Sequence, residues 1–186
     1  GVLRVEPRHE GNLVKGKVWT RALTQVTIGV DDTDSPGGGA TFALALALLN
    51  HVTGIKGVLP ISHHIAMLNP AVFNKTAGNS SSFIELAVMT DKYDLLVERA
   101  RRFVADEALS KEWGIAVRCG LVVPPGLREY GRKARTQVIA RTVAEATAER
   151  FGITLSGGNG VIGALGAVAL AGLPDDVLLD PARNEF

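Results

Sequence analysis

Residues 24–42 read TQVTIGVDDTDSPGGGATF, and no other stretch constrains the fold of this chain as tightly. The run from Thr24 to Val30 is β-branched and apolar, the pattern of a buried strand. It stops at Asp31, Asp32, Thr33, Asp34 and Ser35, followed by Pro36 and three glycines, Gly37, Gly38 and Gly39. An apolar helical pattern begins at Ala40. Three carboxylates within four residues repel one another, and burying them is costly unless a cation or hydrogen-bond donors compensate. The glycines allow a turn with exposed amides, a concavity suited to phosphate oxygens. The next helix adds the positive end of its dipole. Together these features predict a magnesium–phosphate site. The loop is not a P-loop, because the GxxxxGK[ST] order is missing. Nor is it an EF-hand, since Pro36 and Ala43 fall on two ligand positions. A surface turn whose acids cap the helix is the simpler alternative, but capping needs one acid.

At 186 residues and 46% apolar composition, the chain can build one ordinary domain or two small ones sharing a sheet. Charges nearly balance, with 20 basic against 19 acidic residues, so there is no global nucleic-acid or membrane signature. Cys119 is the sole cysteine, which excludes a disulfide framework and a cysteine-based zinc site and fits a cytoplasmic setting. The longest apolar runs, near residues 40–49 and 161–173, are too short to span a bilayer.

Before the acid loop, residues 1–23 predict an N-terminal extension of two short strands and a turn, with His9 and Glu10 in the turn. After it, TFALALALLNHV predicts a helix that is apolar nearly all round and therefore buried. Thr41 opens it with its hydroxyl towards the loop, placed equally well as an N-cap and as a phosphoacceptor or metal contact. Residues 57–68 predict a strand that turns His63 and His64 to opposite sides. A polar loop follows, where Lys75, Thr76, Gly78 and Asn79 supply a cation, a hydroxyl and a tight turn. Residues 82–89 predict a strand, and Asp91 caps a helix running to about Leu109. Residues 115–123 predict another strand, with Cys119 a small buried hydrophobe in it. A single long helix is predicted from about Leu127 to Arg150. On it Arg128, Arg132 and Arg135 share a stripe that suits an RNA or protein partner, or is a solvated face. Last, the turn at Gly158, Asn159 and Gly160 opens a helix of small residues. Its glycines serve close packing, an anion at the turn, or both.

Three of these stretches occur in a telling order: GVDDTDSP with its glycine turn and threonine, LNPAVFNKTAGN, and GNGVIGALGAV. Together, over roughly residues 24–173, they resemble the kinase-like catalytic region of archaeal tRNA-isoleucine 2-agmatinylcytidine synthetase. The GGGAT turn is also similar to that of a sister group, the methanogenesis marker protein 11 family. The resemblance implies a core that uses ATP and Mg2+, splitting ATP to AMP and pyrophosphate and activating a tRNA cytidine. It implies that Asp31, Asp32 and Asp34 hold the metal and polyphosphate, with Thr33, Ser35 and Gly37–Gly39 around the nucleotide. It places Thr41 where the family carries an autophosphorylated threonine, and Lys75, Thr76, Gly78 and Asn79 on a KTxGN segment. Gly158, Asn159 and Gly160 fall on the family's glycine turn. Ala77 stands where that segment has an arginine, and the OB and zinc-ribbon modules that grip tRNA have no counterpart in these residues.

The expected fold is α/β in the broad sense (α+β), a mixed sheet with helices packed on it, possibly as two small subdomains. Residues 24–173 form the core and 174–186 a tail. The expected function is ATP- and magnesium-dependent phosphotransfer or ligase-like chemistry on an unknown acceptor. Two alternatives stand beside it. One is a haloacid-dehalogenase-like phosphatase with Asp32 as nucleophile and Asp34 as acid/base. The other is a non-catalytic nucleotide- or metal-binding subunit in methanogen cofactor maturation.

Overall fold

The computed structural model describes residues 2–72 and 79–186. Strands β1 (Val2–Glu10) and β2 (Leu13–Thr20) form an antiparallel hairpin that is a sheet of its own. The remaining strands are β3 (Thr24–Asp31), β4 (Val58–Met67), β5 (Ser80–Val88), β6 (Gly114–Cys119) and β7 (Thr154–Gly157). They make one five-stranded sheet in the order β4-β5-β3-β6-β7, antiparallel at every pairing. Helices cover both faces, so the fold is α+β. The pairing leaves the phosphatase alternative without the parallel sheet whose carboxyl strand ends carry ligands.

Strand β3 runs through the middle, and its alternation decides the layers. Val26, Ile28 and Val30 enter a core with α1 (Thr41–Thr53) and α2 (Tyr93–Glu107), where Ala45, Leu48, Leu96 and Ala100 are buried. Thr27, Gly29 and Asp31 face the other layer: α3 (Pro125–Thr136), α4 (Arg141–Arg150) and α5 (Val161–Leu170). A Cβ on Gly29 would overlap the Ala164 carbonyl, so glycine there lets α5 lie directly on the central strand. The short α6 (Asp175–Leu178) belongs to this second core, with Leu178 wholly buried.

The register then explains where the site must be. Asp31 ends β3 opposite Gly114 at the start of β6, Gly114 pairs with Gly157 at the end of β7, and Met67 pairs with Ser80. Four connections therefore leave one end of the sheet: the acid loop, the segment before β5, the segment before β6, and the glycine turn before α5.

Several expectations change at this level. The predicted helix from Leu127 to Arg150 is two helices, because Gln137 leaves α3 in an extended conformation (φ −132°, ψ 158°). The β-branched pair Val138–Ile139 follows it. Helix α1 is not buried all round; Phe42 is 51% and Leu46 46% exposed. Asp91 caps nothing: it sits in a 3-10 turn (Thr90–Lys92) and pairs with Lys92. Cys119, at the tip of β6, is exposed rather than buried.

Candidate active site

The acid loop begins with a kink. Asp32 has φ of 52°, a left-handed conformation that Asp tolerates better than most residues. The kink separates the paths of neighbouring carboxylates. Asp31 stays in strand register and is buried against α5, so close that a Cβ on Gly163 would overlap its Oδ2. Ser81 fastens the same corner from below, its Oγ 3.0 Å from the carbonyls of both Val30 and Gly163, which share its one proton. Thr33 is buried as well, and its carbonyl accepts from the Leu109 amide at 2.8 Å.

Thr41 does not cap its own helix, since Ala40 holds the N-cap position. Its hydroxyl donates to Asp34 Oδ1 at 3.2 Å and accepts from Thr33 Oγ1 at 3.1 Å. The threonine thus braces the acid loop.

A cleft of about 720 Å³ opens where the four connections meet. Asp31, Asp32, Asp34 and Ser35 line one side, with Asn79 and Asn159 joining them. Leu68, Val72, Val138, Ile139 and Ile162 supply apolar wall. A flat organic ring over apolar side chains and a charged group near the acids would both be accommodated. The break between α3 and α4 therefore has a consequence, because it is what delivers Val138 and Ile139 to this wall.

Glu112 also lines the cleft, a fourth carboxylate that the sequence reading missed. Its Oε2 accepts from the Asn159 amide at 2.9 Å. Local sequence gives no signal for it; only the pairing of β6 with β3 brings residue 112 beside the acid loop.

The electrostatics are those of crowded anions. Burial, and after it the charges of Asp32 and Asp34, push the Asp31 carboxyl well above the ordinary carboxylate range. Asp32 is raised too, by burial first and then by Asp34 and Glu112. Among the described residues, no group of three or more His, Cys, Asp or Glu side chains is arranged to hold a metal ion. Magnesium is nonetheless commonly held by one or two carboxylates, with waters and substrate phosphates completing its octahedron. Hard oxygen donors that repel one another at a cleft wall fit that mode of binding.

Neither glycine turn is a free amide nest. In the first, Gly37 N–H donates to Ser35 Oγ at 3.3 Å and Gly38 N–H to the Ser35 carbonyl at 3.0 Å. In the second, Gly158 and Gly160 donate to the carbonyls of Trp113 and Glu112, both at 2.7 Å, and Asn159 to the Glu112 side chain. A Cβ on Gly160 would crowd the Asp31 carbonyl at 2.7 Å, so packing accounts for this glycine. Gly39 is exposed at the edge of the loop (φ 85°). Asn79 holds the far end of its connection, donating from Nδ2 to the Asn69 carbonyl at 2.8 Å. Lys75, Thr76 and Gly78 lie outside the described residues.

The arginine stripe is corrected most sharply. Arg135 is only 2% exposed and donates to the carbonyls of Met67, Val177, Leu178 and Arg183. Arg128 donates to Ala169 and Ala171 carbonyls at 2.8 and 2.9 Å, near the end of α5. Arg132 pairs with Glu129 at 3.3 Å. All three guanidinium groups lie within 6 Å of the Phe186 ring centroid. The stripe therefore faces the carboxy-terminal segment, and Arg128 and Arg135 are spent on carbonyl groups of the same chain.

The chain is similar to known proteins over much of its length. Residues 27–96 match the TiaS TCKD domain. An uncharacterized protein of Methanocaldococcus jannaschii is 31% identical over 173 residues, covering 93% of this chain and 58% of the relative. The tRNA 2-agmatinylcytidine synthetase TiaS of Methanocorpusculum labreanum is 32% identical over 161 residues, 83% of this chain and 37% of the synthetase. The crystal structure of a TiaS–tRNA–ATP complex superposes with a TM-score of 0.68 at 26% identity, over 78% of this chain and 36% of that one. A TiaS–tRNA complex with AMPCPP and agmatine gives 0.64 at 25% identity. This chain thus spans little more than half of the first relative and well under half of the synthetases.

Proposed function

Since this chain is homologous to the TCKD region of the TiaS synthetases, we propose that its acid-walled cleft is the nucleotide and magnesium site of an ATP-dependent phosphotransfer or ligase-like core. One observation carries the reading. Asp31, Asp32, Asp34 and Glu112 share one cleft, and two of them hold protons more tightly than ordinary carboxylates, as expected where a positive charge belongs. The relatives' structures with ATP and AMPCPP support a nucleotide as the ligand.

Asp32 and Asp34 are the residues proposed to hold magnesium from the open side of the cleft, with Asp31 setting the negative field behind them. Bound magnesium would neutralise charge on the polyphosphate oxygens. Thr41 would hold Asp34 in place through the hydrogen bond it already makes. The apolar wall would take the base. Lys75 is the proposed cation for charge developing on the transferred group. RNA is the acceptor class the relatives' names favour; on the arginine face expected to receive it, Arg128 and Arg135 are committed to carbonyl groups and Arg132 pairs with Glu129.

The test is product analysis with ATP labelled at the α or the γ phosphate, with and without magnesium and bulk tRNA. The proposal expects magnesium-dependent release of AMP and pyrophosphate or of ADP, abolished by Asp32→Asn. Absence of both turnover and magnesium-dependent ATP binding would overturn it.

A further inference from the structure

Charge is distributed unevenly along this chain. Residues 1–23 hold five of its 20 basic residues and two of its 19 acidic ones, a net charge of +3. Everything after them has 15 basic against 17 acidic residues, a net charge of −2. All of residues 2–23 are exposed. The β1–β2 register gathers the charge on one face of the ribbon: Arg4 stands opposite Trp19, Glu6 opposite Lys17 and Arg8 opposite Lys15, with Glu10 opposite Leu13 at the tip. Both glutamates are held in ion pairs, Glu6 with Arg4, and Glu10 with Lys15 at 2.7 Å and Arg8 at 3.5 Å. Lys17 has no carboxylate partner among the described residues. Pairs this exposed stabilise little, so a phosphate can take a glutamate's place at small cost. At the root of the ribbon the Arg4 guanidinium lies 5.1 Å from the centre of the Trp19 ring, and Trp19 is 38% exposed. Cations beside an open indole supply what an unpaired nucleic-acid strand needs, charge for its backbone and a flat face for a base.

The body of the molecule offers no equal. Its basic stripe on α3 is engaged within the chain, with Lys133 as well as Arg132 beside Glu129. The cleft is walled by carboxylates, which repel a polyanion. The hairpin precedes residues 27–96, so the match to the TCKD domain assigns it nothing. We propose that the charged face of the β1–β2 hairpin binds single-stranded RNA and holds it while one nucleotide of it enters the cleft. The second half of that statement rests on the reading of the cleft given above; the binding itself does not. Thr24 and Asp31 stand at opposite ends of β3, roughly 25 Å apart at the ordinary rise per residue. A strand of several nucleotides spans that distance, whereas a mononucleotide meets the cleft alone.

Fluorescence anisotropy with a labelled oligouridylate of about 12 nucleotides tests this, at several salt concentrations and beside calorimetry with ATP and magnesium. Wild-type affinity should fall with salt on a logarithmic slope of about −2 to −3, as three or four phosphate contacts to a single strand give. Lys15→Gln with Lys17→Gln should weaken RNA binding at least tenfold and flatten that slope by about 1.4. Trp19→Ala should weaken it at least fivefold, and Trp19→Phe should keep most of the affinity. In every variant ATP binding and far-UV circular dichroism should match the wild type. A wild type that binds ATP but not RNA would overturn this proposal and leave the cleft reading standing. RNA binding that needs the hairpin residues, in a protein that does not bind ATP, would support it and sink the cleft reading. Affinity for RNA insensitive to the hairpin variants would overturn it. So would inorganic polyphosphate binding as tightly as RNA with Trp19→Ala silent, or binding to phosphatidylglycerol vesicles but not to RNA.

Discussion

Asp31 and Gly163 show how closely this site is fitted. The carboxyl is buried because α5 carries no side chain at that point, and Gly163→Ala should cost about 2–3 kcal/mol in unfolding free energy, as an overpacked core does, despite alanine's better helix propensity. Denaturant unfolding checks it. The raised affinities of Asp31 and Asp32 set a pH dependence. From the ordinary value of 3.8 up to each raised value, the folded chain binds more protons than the unfolded one, so stability falls as pH rises through that window. Without metal, the melting temperature should be lower at pH 7 than at pH 5. Asp32→Asn should flatten that slope and raise the neutral-pH value by about 2–4 °C, the equivalent of roughly 1 kcal/mol. Thr27 lies on the same strand with Oγ1 buried and without a partner among the described residues. Thr27→Val should stabilise by about 1 kcal/mol, measured in the same way.

At the scale of elements, what was legible followed from local pattern. The apolar, β-branched runs of β3 and β5, strands buried on both faces, and the Leu96–Ala100–Val104 spacing of α2, a helix buried on one, each announce their element. The acid loop was legible for the same kind of reason: no ordinary turn needs three carboxylates. Features fixed by long-range partners were not legible. Amides in the glycine turns looked free because their acceptors at Ser35, Trp113 and Glu112 are identified only by the tertiary structure. The arginines at 128, 132 and 135 looked like a surface stripe because helical spacing gives direction but not neighbour. Their neighbour is the segment 174–186, which Arg135 ties into the core. Arg135→Ala takes its donors from four carbonyls, the buried one of Leu178 among them, and should cost about 3 kcal/mol. Proteolysis should then cut first near α6, whereas Arg132→Ala should be nearly silent.

For the molecule as a whole, antiparallel pairing gathers four connections at one end of the sheet, and the cleft is what they enclose. The central claim is that the acids on its wall exist to meet a magnesium-bound nucleotide. Isothermal titration calorimetry with ATP, with and without magnesium, on the wild type and Asp32→Asn tests this most directly. The account predicts binding by the wild type only when magnesium is present and loss of at least tenfold in affinity in Asp32→Asn. Equal ATP affinity in the two proteins, or binding indifferent to magnesium, would contradict it.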